Sequence, residues 1–285
     1  MNKKYAVFTM DLEGFTDTEC VANSGAQVTS EMLDGFDIYI RLLEKYNIRA
    51  TLFTLCNTAD KMREKLSGCI RRGHQLALHG WSHIAPLLIE PERFRTETAT
   101  AKNFLEREFG VKIRGYRAPC FSLDNQRLDI LRQLGFHYDA SRNDFAPARH
   151  TVQMDMGGYL EVTSGVFHDK DFCEFGLSHG KLFGMNFPIS GGGYVRLFNW
   201  AVMKAAIRRY LRTHDYYVFY LHPFELSRER VPAIQGLKSY DQFYLNYGHR
   251  RFAGKVEEII RMLQNEDYKF VTFDELTDLI QQENG

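Results

Sequence analysis

The sequence predicts an α/β protein: a parallel sheet with helices outside it. Three observations carry this. Short apolar runs alternate with amphipathic segments along the chain. The 285 residues, 44% of them apolar, suffice for one large domain with a full core. The polar residues of most chemical interest fall at the ends of the apolar runs, as in sheets and barrels that gather their sites at one rim.

The elements follow in order. YAVFTM (5–10) reads as a buried strand, EMLDGFDIYIRLLEKY (31–46) as a helix by its apolar spacing, and RATLFTL (49–55) as a second strand. ADKMREKLSGCIRRG (59–73) reads as a helix stopped by Gly73, and HQLALH (74–79) as a short strand. PERFRTETATAKNFLEREFG (91–110) has Pro near its start and Gly past its end, the usual helix punctuation. Its Phe94, Ala101, Phe104, Leu105 and Phe109 form an inward stripe. KIRGYRAP is a strand and loop, DNQRLDILRQLG (124–135) a helix, and HYDAS another strand end. From about 140 to 195 the alternation loosens, with more glycine and aromatics. WAVMKAAIRRYLR (200–212) is a helix, YYVFYLH (216–222) a strand, a helix lies near 240–264, and KFVTF and DELTDLIQ close the chain. Without a linker or repeat, residues 1–285 read as a single domain.

Composition excludes some functions. Lys plus Arg and Asp plus Glu are 36 each, so the basic footprint of a nucleic-acid binder is missing. Five cysteines without a Cys-x-x-Cys argue against a disulfide framework and for a reducing compartment. No apolar run approaches the roughly 18 residues of a membrane span. The first apolar run is too short for a signal-peptide core. A soluble, cytoplasmic protein is the expectation. Arg208, Arg209 and Arg212 read as a solvated face; their sharper alternative is contact with an anionic lipid carrier or phosphate.

Four segments carry chemistry. TMDLEG offers Asp11 and Glu13, and LHGWSH offers His79 and His83. Two imidazoles and a carboxylate suit a catalytic zinc-type site, the other carboxylate serving as base toward water. In GYRAPCFS, Arg117 is expected to orient a catalytic carboxylate. The Cys120 N–H is expected to face a developing oxyanion, while the Cys120 thiol lacks a feature that would activate it. In YLHPFE, His222 suits a general acid for a leaving amine, with Asp139 as its expected carboxylate partner. The triple glycine of SGGGYVRLF (190–198) reads as a flexible turn, or as a loop letting sugar approach the backbone.

In that order, TMDLEG, LHGWSH, GYRAPCFS and YLHPFE resemble the polysaccharide deacetylase family, carbohydrate esterase family 4. Likeness to the exopolysaccharide-associated subgroup extends to GHQLALHGWSH, FRTETATAKNFLEREFG, FHYDAS, GGGYVRLF and HPFEL. The resemblance covers most of the chain. It implies a distorted (β/α) barrel with about seven parallel strands, a divalent metal, most simply Zn2+, and removal of an N-acetyl group from an amino sugar. By position it implies Asp11 as base, His79 and His83 as metal ligands, Arg117 as orienter of the base, the Cys120 N–H for the oxyanion and His222 as acid. Two departures stand out. Leu12 occupies the place of the family's second aspartate, so Glu13 must take that role if any carboxylate does. Cys120 stands where tyrosine is frequent. The expected partner is an N-acetylated sugar or glycan precursor, with lipid-linked forms open. The alternatives are a cyclic-amide hydrolase of the same fold and an inactive carbohydrate-binding member.

Overall fold

A computed structural model describes residues 3–144, 152–182 and 184–284. Its main sheet is built from β1 (Tyr5–Leu12), β2 (Ala50–Leu55), β3 (Gln75–Gly80), β4 (Gly115–Tyr116), β5 (Tyr138–Asp139), β6 (Leu160–Thr163), β7 (Val166–Asp169) and β8 (Phe172–Phe175). A two-stranded ribbon, β9 (His179–Leu182) and β10 (Met185–Pro188), stands apart, and β11 (Tyr216–Leu221) and β12 (Lys269–Phe270) rejoin the main sheet. The order is β11-β1-β2-β3-β4-β5-β8-β7-β6, with β12 also pairing β1. From β11 through β8 every pairing is parallel, and only β7 and β6 add antiparallel edges. These seven curled parallel strands form a half-barrel, which agrees with the distorted barrel of about seven parallel strands expected. The antiparallel strands from 160 to 188 are the addition, in the stretch where the alternation fades.

Strand periodicity sorts the side chains. On β1, Ala6, Phe8, Met10 and Leu12 join the main core beneath the outer helices, while Tyr5 and Val7 join an inner cluster. The same split places Ala77, Tyr138, Val218 and Tyr220 inside. The helix Phe273–Asn284 seals the N-terminal end of the half-barrel. Phe273 packs on Phe53, Tyr138 and Phe175, and its N–H donates to Thr51 Oγ1 at 3.0 Å. The C-terminal strand ends are left for chemistry.

Helix punctuation reads well locally. Pro91–Phe109 ends on Gly110 in the left-handed conformation, φ 65°. Two expected single helices are each broken in two. Residues 59–73 become Cys56–Lys61 and Arg63–Arg71, and 240–264 becomes Ser239–Asn246 and His249–Asn265. The second break falls at Gly248, φ 86°, where a Cβ would lie 2.9 Å from the Arg196 carbonyl oxygen. The triple glycine is not a free turn: it opens the helix Gly192–Leu197.

Candidate functional site

Continuing the inner face of β1 past Val7 brings Thr9, Asp11 and then Glu13 to the open rim. Leu12 alternates outward into the main core and is fully buried there. A carboxylate at position 12 would therefore face apolar side chains, and Glu13 is the residue whose parity returns it to the cavity. On β3 the same parity runs Gln75, Ala77, His79.

Glu13, His79 and His83 meet. Their ligand-type atoms all lie within 4.8 Å of one another. His83 Nε2 is 2.8 Å and His79 Nε2 3.8 Å from Glu13 Oε2. His79 Nδ1–H donates to the Arg117 carbonyl at 2.8 Å, which leaves its Nε2 lone pair facing Glu13. Glu13 Oε2 is buried without a well-angled hydrogen bond, so an acceptor of charge is held dry with two imidazoles beside it. This donor set fits a divalent cation. Burial works against the Glu13 charge, but His83, His222 and His79 outweigh it and hold its carboxyl well below the usual range.

Asp11 stands next to this cluster. Its Oδ1 accepts from Arg117 Nη1 at 2.7 Å, with both side chains almost wholly buried. Arg117 is held by further contacts: Nη1 also reaches Thr9 Oγ1 at 2.8 Å, Nε donates to the Ala140 carbonyl at 3.0 Å, and the guanidinium lies 4.0 Å over the Phe53 ring. The expected Arg117–Asp11 pair is therefore formed.

His222 receives a carboxylate, but a different one from that expected. Glu225 Oε2 lies 3.3 Å from His222 Nδ1 and accepts the His222 backbone N–H at 3.0 Å, closing a turn that begins at Pro223. Burial opposes the imidazolium, yet Glu13, Glu225 and Asp11 together raise His222 to about 9. Glu225 is itself paired with Arg196 at 3.0 Å, both fully buried. Arg196 also donates to the carbonyls of Tyr244 and Tyr247. The glycine run makes room for this arm: a Cβ on Gly192 would sit 2.3 Å from Glu225 Oε2, and one on Gly191 2.6 Å from Tyr220 Oη. Gly192→Ala is expected to lower turnover about 10- to 100-fold by displacing the arm, while costing only about 1–3 kcal/mol of stability. Parallel activity and urea-unfolding measurements check this; unchanged turnover would contradict it.

Asp139 is turned to another task. It accepts from the Ser141 N–H and Oγ–H, both at 2.8 Å, and Ser141 Oγ accepts the Ala118 N–H at 2.8 Å. It thus supports the loop carrying Arg117 and Cys120 instead of His222. The reason is position: β5 pairs β8, which brings Glu174 opposite Asp139. Burial raises both carboxyls, Glu174 well above the usual range with the Asp139 charge adding to it. A folded state that holds the extra proton loses stability as pH rises above the unfolded carboxylate value, about 4, and through the raised folded value. Glu174→Gln should flatten that fall and raise the urea midpoint at pH 8 relative to the wild type. Urea midpoints at pH 5 and 8 measure it; an unaltered slope would refute the retained proton.

Cys120 lines the cavity in the left-handed region, φ 56°, followed by Phe121 at 55°. Such strain in successive non-glycine residues clusters at functional sites. Among the described hydrogen bonds its N–H has no acceptor. Burial, with Glu19 and Glu13 adding to it, pushes the thiol up to about 12, which disfavours a thiolate nucleophile. The cavity at this rim, about 360 Å³, is walled by Phe121, Tyr194, Tyr220, Phe224, Tyr240 and Tyr244. A larger one, about 900 Å³, is lined by Trp200, Arg250 and Arg251 among others and by none of the expected site residues. Glu225 and Arg196 are the functional candidates that reading the sequence passes over. The signal for Glu225 was His-Pro-x-Glu, a cap followed by an acid three residues on.

Comparisons with known proteins agree in outline. Residues 34–138 match the Polysaccharide deacetylase family model, and residues 147–278 match a model described as a domain of unknown function, DUF3473. The first segment holds His79, His83, Arg117 and Cys120; the second holds Arg196, His222 and Glu225. A peptidoglycan deacetylase of Helicobacter pylori is 27% identical over 115 residues, 40% of this chain and 39% of that protein. Chitin deacetylase 1 of Cryptococcus neoformans is 26% identical over 98 residues, 34% of this chain and 21% of that protein. The matched stretch thus spans well under half of either relative. A candidate polysaccharide deacetylase from Mycobacterium smegmatis superposes with a TM-score of 0.62 at 16% identity, over 99% of this chain and 92% of that one. A family 4 pseudoenzyme from Bacillus anthracis superposes at 0.54 and 12% identity, over 97% and 66%. These structural likenesses establish the fold. No helix among the described residues is long and apolar enough to cross a membrane.

Proposed function

We propose that this chain, with its polysaccharide deacetylase segment at residues 34–138, is a metal-dependent hydrolase that removes the N-acetyl group of an amino sugar in a polysaccharide or glycan precursor. One observation carries the reading. A Glu13–His79–His83 cluster with cation-ligand spacing shares its cavity with an Arg-bound Asp11 and with His222. The subgroup likeness makes an exopolysaccharide, or its precursor, the preferred substrate, and zinc the preferred ion.

Glu13, His79 and His83 would hold the cation. When bound, it supplies positive charge for an acyl oxygen and acidifies water. Arg117 keeps Asp11 in one orientation, aimed to accept a proton from the attacking water. The Cys120 N–H is the donor available to the oxyanion as the acetyl carbon becomes tetrahedral, a contribution of about 3 kcal/mol. His222, steadied by Glu225, gives its proton to the departing nitrogen as the C–N bond breaks, leaving acetate and a free amine. Asp11, Glu13 and His79 are buried, and the low dielectric around them strengthens these charge interactions.

Acetate release from N-acetylated hexosamine oligomers tests the proposal. Chelation should abolish it and zinc restore it. His222→Ala should lower kcat by about 10²- to 10⁴-fold. Sugar binding with no acetate release under any metal would favour the inactive binding member, and ring opening of a cyclic amide would favour the other hydrolase.

A further inference from the structure

The helix Ser239–Asn246 serves two cavities. Its Tyr240 and Tyr244 line the catalytic one, while Asn246 and the following Tyr247 line the cavity of about 900 Å³. The helix Gly192–Leu197 is shared in the same way. Its Tyr194 lines the catalytic cavity, Phe198 just after it lines the other, and the two rings stack at 6.3 Å. At 1.5 Å per residue the first helix is about 12 Å long, so one oligosaccharide could engage both cavities.

The second cavity is basic and aromatic. Arg250, Arg251 and Lys255 line it together with Phe198, Trp200 and Tyr247. Lys255 Nζ donates to the Val195 and Arg196 carbonyls at 2.7 and 3.3 Å. Arg250 and Arg251 are exposed, and neither guanidinium has a hydrogen bond or an ion pair among the described residues. Glu258, the carboxylate on this wall, is already held by Lys204 at 2.7 Å and by Trp200 Nε1 at 3.2 Å. Charges over the whole chain balance at 36 each, so this is a local arrangement and not a surplus. It also works against the fold. Arg250 and Arg251 stand in the first turn of His249–Asn265, which holds no acidic residue and whose N-cap, Gly248, has no side chain to offer. The dipole repels cations at that end of a helix and favours an anion. Phe198 and Tyr247, 41% and 47% exposed, set ring faces beside the charges. A guanidinium fork matches a carboxylate or a phosphate, and the C–H face of a pyranose packs on an aromatic ring. A concave wall of this size suits a sugar better than a flat bilayer.

We infer that this second cavity binds an anionic sugar unit, its acid group a carboxylate or a phosphate, so that the glycan acted on carries acid groups as well as N-acetyl groups. The statement about the glycan acted on rests on the deacetylase reading; the binding itself does not. Arg250 and Arg251 supply the charge, and Phe198 and Tyr247 the ring faces.

Calorimetry on the zinc-loaded full chain tests this with two pairs of probes. One pair is an N-acetylglucosamine tetramer and a tetrasaccharide alternating N-acetylglucosamine with glucuronate. The other is N-acetylglucosamine and its 1-phosphate. An advantage of at least about fivefold for the acid member at low salt, shrinking in 0.5 M salt, is expected in at least one pair. The first pair reports a carboxylate ligand and the second a phosphate. Arg250→Gln/Arg251→Gln should cut the advantage to below about twofold, which separates this cavity from anion binding at the catalytic cation. The same variant should release acetate from the neutral tetramer at the wild-type rate and resist urea at least as well, since it relieves the helix end. No advantage for either acid, or one that the double variant keeps, would overturn the inference. So would binding confined to phosphatidylglycerol vesicles, which would make this face a membrane contact. A lower urea midpoint in the variant would assign the arginines to the fold and overturn it as well. Acid-selective binding without acetate release from any probe sinks the deacetylase reading and leaves the anionic-sugar site standing. Acetate release with charge-blind binding does the reverse.

Discussion

Glu13→Ala is expected to lose its bound cation and its turnover together. Metal content after dialysis should drop from about one equivalent per chain to near zero, and kcat should fall by at least roughly 10³-fold. The magnitude follows from several kcal/mol of transition-state charge stabilisation, at about 1.4 kcal/mol per decade. Glu13→Asp should fare little better. His83 Nε2 stands 2.8 Å from the Glu13 carboxylate at its full length, and a side chain one methylene shorter draws back from both imidazoles. Asp11→Asn makes the contrast: its Arg117 contact lies outside the metal-ligand group, so metal content should persist while kcat falls about 10²- to 10⁴-fold. Metal retained by Glu13→Ala, or lost by Asp11→Asn, would reverse the two carboxylate assignments.

Arg196→Met should be the most destabilising single change on the acid side. The Arg196–Glu225 pair is wholly buried, and Arg196 also satisfies two carbonyls at the end of the helix Ser239–Asn246. Removing the arginine strands a buried carboxylate, which costs about 3–5 kcal/mol. Burial opposes the Glu225 charge, but Arg196, then His222, outweigh it and hold its carboxyl down at about 2, so the charge must be answered at any working pH. Arg196→Met/Glu225→Gln should recover much of the stability, since the orphan charge is gone, but not the turnover, since His222 has lost its orienting acid. Urea midpoints and kcat on the single and double variants give both numbers. A double variant no more stable than the single one would show that Arg196 acts through the carbonyls alone.

The two arms differ in how visible they were. Asp11, Arg117, His79 and His222 end strands or follow them directly, and a period-two count along each strand places them on one face. Glu13 needed only that count continued past Leu12. The acid arm needed more. Glu225 lies three residues after His222, but the histidine could equally have turned to Asp139, since both sit at strand ends. Arg196 and the glycines that make room for the arm lie in the segment where alternation fades, and nothing local announces what they touch. The antiparallel strands between 160 and 188 escaped for the same reason.

Apolar periodicity and helix punctuation, both local, were enough to determine a parallel sheet with helices outside it and to send the chemical residues to the strand ends; its closure toward a barrel was implied by the family resemblance. Which rim residues became partners was decided by the curl of the sheet and by pairing in space. β5 beside β8 gave Asp139 to Glu174, and a tight turn after Pro223 gave His222 to Glu225. Periodicity sets the direction of a side chain relative to its own backbone, whereas an ion pair depends on the distance between backbones far apart in the chain, and only the packed structure sets that distance.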